Sequence, residues 1–111
     1  MAEATWVALT DPKRRAALDL LRQRPRAVGE LVDALKLSQP TTSKHLRVLR
    51  EAGLVTVLPD AQRRIYAIDP APLAELDAWL APYRQLWNEH LDELGRHLDK
   101  TTKRRRRDGS R

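Results

Sequence analysis

The sequence predicts a mainly α-helical fold with one small β-hairpin, and three observations predict it. Apolar residues recur at helical spacing in several stretches, each bounded by a residue that starts or stops a helix. Residues 54–58 read Leu-Val-Thr-Val-Leu, a short β-branched run followed by Pro-Asp-Ala-Gln and a second short run. From residue 71 to about residue 99 a single apolar stripe continues almost unbroken.

Taken in order, Glu3–Leu9 is a short, weakly helical lead with Trp6, Val7 and Leu9 as its apolar points. Asp11 followed by Pro12 starts the next helix, because the carboxylate accepts from orphan backbone N–H groups and proline needs no N–H in a first turn. That helix reaches about Gln23, with Ala17, Leu18 and Leu21 on its apolar side and Pro25 ending it. Lys13, Arg14 and Arg15 crowd its first turn, where the helix dipole disfavours cations. They read either as a solvated face or as phosphate contacts.

Arg26–Val28 is a brief extended link, and Val28–Leu35 is a helix burying Leu31, Val32 and Leu35. Lys36 and Leu37 make a turn. Ser38 caps the following helix, Pro40 fits its first turn, and the helix runs to Ala52 before Gly53 supplies a left-handed stop. Leu54–Leu58 and Arg63–Ile68 pair as a two-stranded hairpin whose tip is Pro59–Gln62. Ile65 with Ile68 or Tyr66 faces inward.

Asp69-Pro70 punctuates before a helix from about Ala71 to Asp99. Its stripe is Leu73, Leu76, Leu80, Tyr83, Trp87, Leu91, Leu94 and Leu98, at steps of 3 or 4. So long a stripe cannot be covered by the fewer than 70 residues before it, so a second copy is expected to cover it, together with Trp6 and Leu9. Pro82 should bend or split the helix near Ala81. Residues 1–99 form one domain in this reading, and residues 100–111 a basic tail, disordered when free.

At 111 residues, with 41% hydrophobic and 32% charged residues and no Phe, the core has to be built mainly from Leu, Val and Ala. Cysteine is absent, which excludes disulfides and thiolate metal sites. No run of about 18 apolar residues exists to span a membrane, and the N-terminus lacks a signal-peptide pattern. The cytoplasm is the expected compartment. The net charge of +6 divides as +5 over residues 1–68, −5 over 69–99 and +6 over 100–111. Basic surface suits phosphate, and the acidic segment should face elsewhere.

The helix at 38–52 has two unlike sides. Thr42, Leu46, Leu49 and Ala52 lean on a core. The remainder holds hydroxyls and three cations over residues 38–50, with no anion. A solvated helix face would mix Glu among the Lys, whereas this pattern suits insertion into a DNA major groove. Gln39, Thr41, Ser43, Lys44 and His45 are placed for base contact: Gln pairs with adenine, Lys donates to guanine, and a Thr methyl meets thymine. Ser38 and Pro40 build the helix start, whose N–H groups suit a phosphate. Arg47 and Arg50 reach phosphates, and Arg63 and Arg64 suit backbone or narrow minor groove. The run KRRRR at 103–107 reads equally as a non-specific DNA contact or a solubility tail.

The stretches ALTDPKRRAALDLL at 8–21, AVGELVDALKLSQPTTSKHLRVLREAGLV at 27–55 and RRIYAID at 63–69 carry a family likeness. Over roughly residues 5–99 the chain resembles the ArsR family of bacterial winged helix-turn-helix repressors. The resemblance implies a winged helix-turn-helix with a long C-terminal dimerisation helix. It also implies a homodimer that binds a palindromic double-stranded operator and represses, often at its own promoter. Many family members sense metals. One family site needs cysteines where this chain has Glu30–Leu35, so that site is absent. A second uses Asp, His and Glu on the C-terminal helix; Glu89, His90, Asp92, Glu93 and His97 are present, but the family spacing is not reproduced. His97 one turn from Glu93 reads as a seam-edge pair, and no metal or other cofactor is assigned.

No nucleophile–base pair or phosphate-binding glycine loop supports catalysis, and the chain is not expected to be an enzyme. Two alternatives remain: a metal-responsive repressor using His90 and His97, and a winged-helix module that binds a protein partner.

Overall fold

The computed structural model describes the backbone of residues 2–109 and the side chains through residue 98. The chain divides into two compact units, Met1–Leu76 and Asp77–Arg111.

In the first unit, α1 (Glu3–Leu9) and α2 (Pro12–Gln23) are separated by Asp11. Its carboxylate accepts the backbone N–H groups of Lys13 at 2.7 Å and Arg14 at 3.2 Å, as the Asp-Pro signal predicts. Desolvation is the largest single influence on Asp11 and opposes its charge. The two N–H groups, together with the nearby His45 and Arg14 side chains, outweigh it, and the acid is held below its ordinary range. β1 (Arg26–Ala27) leads into α3 (Val28–Leu35), whose Glu30 accepts the Ala27 N–H and pairs with Arg24 at 2.8 Å. The Arg24 bond is the main cause of Glu30's lowered pKa, and the Ala27 N–H adds to it.

Lys36 closes α3 with φ 57°, a left-handed conformation, and turns the chain into α4 (Gln39–Glu51). Gly53 at φ 77° ends the α4 segment, and the left-handed geometry there accounts for glycine. β2 (Val55–Asp60) and β3 (Arg63–Ile68) form the hairpin. Its tip is Ala61-Gln62, shorter than the expected Pro59–Gln62 turn, because Pro59 and Asp60 pair with Arg64 and Arg63. Proline is tolerated there because β2 is an edge strand of the order β1-β3-β2.

The sheet has three strands where two were expected. Arg26 and Ala27 pair antiparallel with Tyr66 and Ile65. A two-residue strand is too short for any hydrophobic period to reveal it.

The core gathers Ala8, Ala17, Leu18, Leu21, Leu31, Leu35, Leu46, Leu49, Leu54, Val55 and Tyr66. Each fully buried leucine contributes about 1.5–3 kcal/mol relative to an exposed one. Thr42 is fully buried among them, and its hydroxyl is satisfied by the Ser38 carbonyl at 2.9 Å. Of the strand residues expected to face inward, Tyr66 is buried, while Ile65 and Ile68 are half-buried.

α5 (Ala71–Gly109) begins after Asp69, whose carboxylate accepts the Ala71 N–H at 3.0 Å. Two expectations are corrected here. Of the bend or split expected at Pro82, the split does not occur: the helix is one element through it. Its backbone also stays helical beyond Asp99, the expected end, as far as Gly109. Residues 100–108 contain neither Gly nor Pro, and cations near a helix C-terminus complement its dipole. The last two residues of the expected tail, Ser110 and Arg111, lie outside the described residues.

Candidate nucleic-acid interface

Helix α4 is fixed from beneath and open above. Thr42, Leu46 and Leu49 are buried, whereas Gln39, Pro40, Thr41, Ser43, Lys44, Arg47 and Arg50 are exposed. Ser38 accepts the Thr41 N–H at 3.2 Å, and its own hydroxyl donates to the Thr41 hydroxyl at 2.9 Å. Ser38 therefore belongs to the cap, and Thr41 is held by it.

His45 is half-buried and lies against α2. Its Nδ1 is 3.5 Å from an Arg14 guanidinium nitrogen, and the ring lies within electrostatic reach of the Asp11 carboxylate. A ring nitrogen can accept from that guanidinium only in the tautomer that leaves Nδ1 without a proton.

The basic cluster that opens α2 has a third use, which neither sequence reading included. Arg14 donates to the Ala8 carbonyl at 2.8 Å and to the Val7 carbonyl at 3.0 Å. Arg15 donates to the Leu9 carbonyl at 2.7 Å, and Lys13 to the Leu35 carbonyl at 3.2 Å. These carbonyls belong to the last turns of α1 and α3, where orphan acceptors and a negative dipole end call for cations. The dipole conflict at the start of α2 is offset at the ends of two neighbouring helices. Arg26 does the same for α2, donating to the Leu20 carbonyl at 3.1 Å.

The cations of α4 and the hairpin are employed differently. Arg63 is tied to Asp60 at 3.0 Å. Lys44, Arg47, Arg50 and Arg64 have no side-chain hydrogen bond or ion pair with any described residue. Three of them meet in one cleft of about 210 Å³, lined by Ser43, Leu46, Arg47 and Arg50 from α4 and by Arg64 and Tyr66 from β3. No carboxylate lines it.

The residues expected to pair two copies fall into two groups. In the first unit Trp6 is partly exposed, while Leu9, Leu73 and Leu76 are half-buried, Leu9 and Leu73 packing against the core of their own chain. Leu9 and Leu73 also border a groove of about 620 Å³ beside Leu18, Leu21 and Ile68. In the second unit Leu80 is half-buried, and Tyr83, Trp87, Leu91, Leu94 and Leu98 are exposed. Val7, Trp79 and Leu86, outside that expected set, are also exposed. Trp79 lies one turn before Tyr83, with ring centroids 4.8 Å apart, and so widens the stripe on one flank. Among the described residues, no group of three or more His, Cys, Asp or Glu is placed to hold a metal ion. No helix among them is long and apolar enough to cross a membrane.

Comparison with known proteins gives this geometry a lineage. The profile of the bacterial regulatory protein arsR family matches residues 11–57, from the cap of α2 into β2. The HTH-type transcriptional regulator Rv2034 of Mycobacterium tuberculosis is 46% identical over 74 residues, covering 67% of this chain and 69% of that protein. Among solved structures, the ArsR family transcriptional regulator RHA00566 superposes with a TM-score of 0.68 at 33% identity, over 77% of this chain and 93% of that one. The homodimeric winged helix-turn-helix DNA-binding domain Mb0332 of Mycobacterium bovis gives a TM-score of 0.61 at 31% identity, over 81% of each chain. The chain belongs to the arsR family of bacterial regulatory proteins: it is a transcriptional regulator, not an enzyme, built on a winged helix-turn-helix domain.

Proposed function

We propose that this regulator acts in the cytoplasm as a homodimeric repressor that binds a palindromic operator in double-stranded DNA. In this reading α4 enters the major groove, with Gln39, Thr41, Ser43, Lys44 and His45 toward the base edges. Ser38 and Pro40 present the helix start to a phosphate. Arg47 and Arg50 take backbone phosphates, and the hairpin, through Arg63 and Arg64, rests on flanking backbone or minor groove.

The observation that carries the reading is the set of four cations on α4 and β3 without a partner among the described residues, in a molecule whose Lys13, Arg14 and Arg15 are satisfied internally. Unpaired guanidinium groups gathered in one cleft repel one another, and polyanion binding relieves that repulsion.

Self-association is supported by the exposed Trp79, Tyr83, Leu86, Trp87, Leu91, Leu94 and Leu98 of α5 and by the homodimeric M. bovis neighbour. A dimer also matches an operator with two half-sites one helical turn apart.

The test is an anisotropy titration against the protein's own upstream DNA at two salt concentrations, with and without zinc. Tight binding that survives excess competitor DNA and ignores zinc is expected. Weak binding that vanishes with salt would remove the repressor reading, and binding abolished by zinc would return His90 and His97 as ligands. Sedimentation at micromolar concentration should give a dimer; a monomer would overturn that part.

A further inference from the structure

Tyr66 is 9% exposed, with its ring in the core and its backbone paired to Arg26 on one side and Val57 on the other. Its phenolic hydroxyl makes no hydrogen bond to any described residue. Among the described residues, however, no sealed side-chain oxygen or nitrogen lacks a partner. The hydroxyl is therefore open to solvent, and the opening that Tyr66 lines is the cleft between α4 and β3. A buried tyrosine ordinarily finds a partner for its hydroxyl. Here the donor is kept in reserve beside three unpaired guanidinium groups and the Ser43 hydroxyl, with no acidic residue in the lining.

We infer that this cleft is a receptor for one phosphate group, seated between Tyr66, Ser43 and the guanidinium groups of Arg47, Arg50 and Arg64. The inference rests on the DNA-binding reading and deepens it: the phosphate is one of the DNA backbone, and Ser43 then serves that phosphate instead of a base edge. Arginine forks donate two parallel hydrogen bonds to phosphate oxygens, and a phenol adds a directional donor. The cleft of about 210 Å³ has room for one such group with some water. Because α4 supplies three of these donors and β3 the other two, one phosphate would lock the reading helix and the hairpin to the same point on the backbone. Tyr66 is then a positioning residue: it fixes the depth of α4 without touching a base.

The same donors would accept a phosphate from another source, such as a free ion, so the experiment has two arms. In the first, wild type, Tyr66→Phe and Arg64→Gln are titrated with a duplex from the protein's own upstream DNA at two salt concentrations. Duplexes carrying a single neutral methylphosphonate at successive backbone positions are titrated in parallel. Tyr66→Phe keeps the ring, so its melting temperature should match wild type. Its affinity should fall about ten-fold, as for loss of a hydrogen bond to a charged group, with the salt slope unchanged because no charge is removed. Arg64→Gln should weaken binding and flatten the salt slope by about 1. One methylphosphonate position should weaken wild type and cost Tyr66→Phe little more. Wild-type affinity in Tyr66→Phe, or no such coupled position, overturns the inference while leaving the DNA reading standing.

The second arm follows arginine Nε–Hε resonances as inorganic phosphate replaces chloride at fixed ionic strength. If wild type binds no duplex, the DNA reading fails. Phosphate-dependent shifts lost in Tyr66→Phe would then establish the cleft as a site for free phosphate. Their absence would overturn the cleft as a phosphate site altogether.

Discussion

Two clusters of three basic residues in this molecule carry the same formal charge and have opposite employment. Lys13, Arg14 and Arg15 each donate to a backbone carbonyl at the end of a neighbouring helix. Arg47, Arg50 and Arg64 donate to nothing among the described residues and share an open cleft. A run of cations is therefore not in itself a nucleic-acid interface. What decides is whether the fold offers each one an acceptor. The α2 cluster stabilises the domain, and the α4–β3 cluster is left for a partner.

The sharpest way to break that comparison is to neutralise the second cluster. Replacing Arg47, Arg50 and Arg64 together by Gln should cut affinity for operator DNA more than about a hundred-fold at low salt and flatten the salt slope by about 3. The urea midpoint should stay near wild type, since no internal bond is lost. Arg14→Ala is the opposite experiment. Two carbonyl bonds and the contact with His45 disappear, and urea denaturation should show a loss of about 2 kcal/mol. A stable Arg14→Ala with crippled DNA binding would invert the assignment of the two clusters.

A smaller effect tests the frame that carries the exposed cluster. Ser38→Ala removes the cap from Thr41 and should cost about 1 kcal/mol in thermal or urea unfolding. The smallest concerns acid. Asp11 and Glu30 both have lowered pKa values in the folded state. Their contribution is present above the ordinary carboxylate range of about 4 and is lost as pH falls through the lower folded values. The melting temperatures of wild type and Asp11→Asn should therefore converge as the pH is taken below about 4, because Asn still caps but does not titrate. Parallel curves would remove Asp11 from the acid response.

What the sequence made legible was local. Asp11-Pro12, Ser38-Pro40 and Gly53 each act within a few residues of themselves, and the helices they bound lie where those signals put them. The buried side of α4 was legible for the same reason, since Thr42, Leu46 and Leu49 follow one period. The rest depended on contacts between distant residues. Lys13 reaches Leu35, Arg14 reaches His45, and Arg26 pairs with Tyr66, and no periodicity encodes such partners. The two-residue β1 was invisible for that reason. Tyr66 looked like an inward-facing strand residue; that its hydroxyl stays open follows only from the packing around it. The end of α5 was expected near Asp99 because the apolar stripe stops at Leu98; the backbone continues helical to Gly109 without that stripe, so periodicity could not reveal it.

The distribution of aromatic residues has a practical consequence. All three tryptophans lie on α1 and α5: Trp6, Trp79 and Trp87, each at least partly exposed. None lies between α2 and β3. The chain thus carries its optical labels on the surfaces assigned to self-association and none on the elements assigned to DNA. A shift in indole emission on dilution would report subunit exchange directly, and added duplex would leave it unchanged unless DNA alters the pairing of the copies.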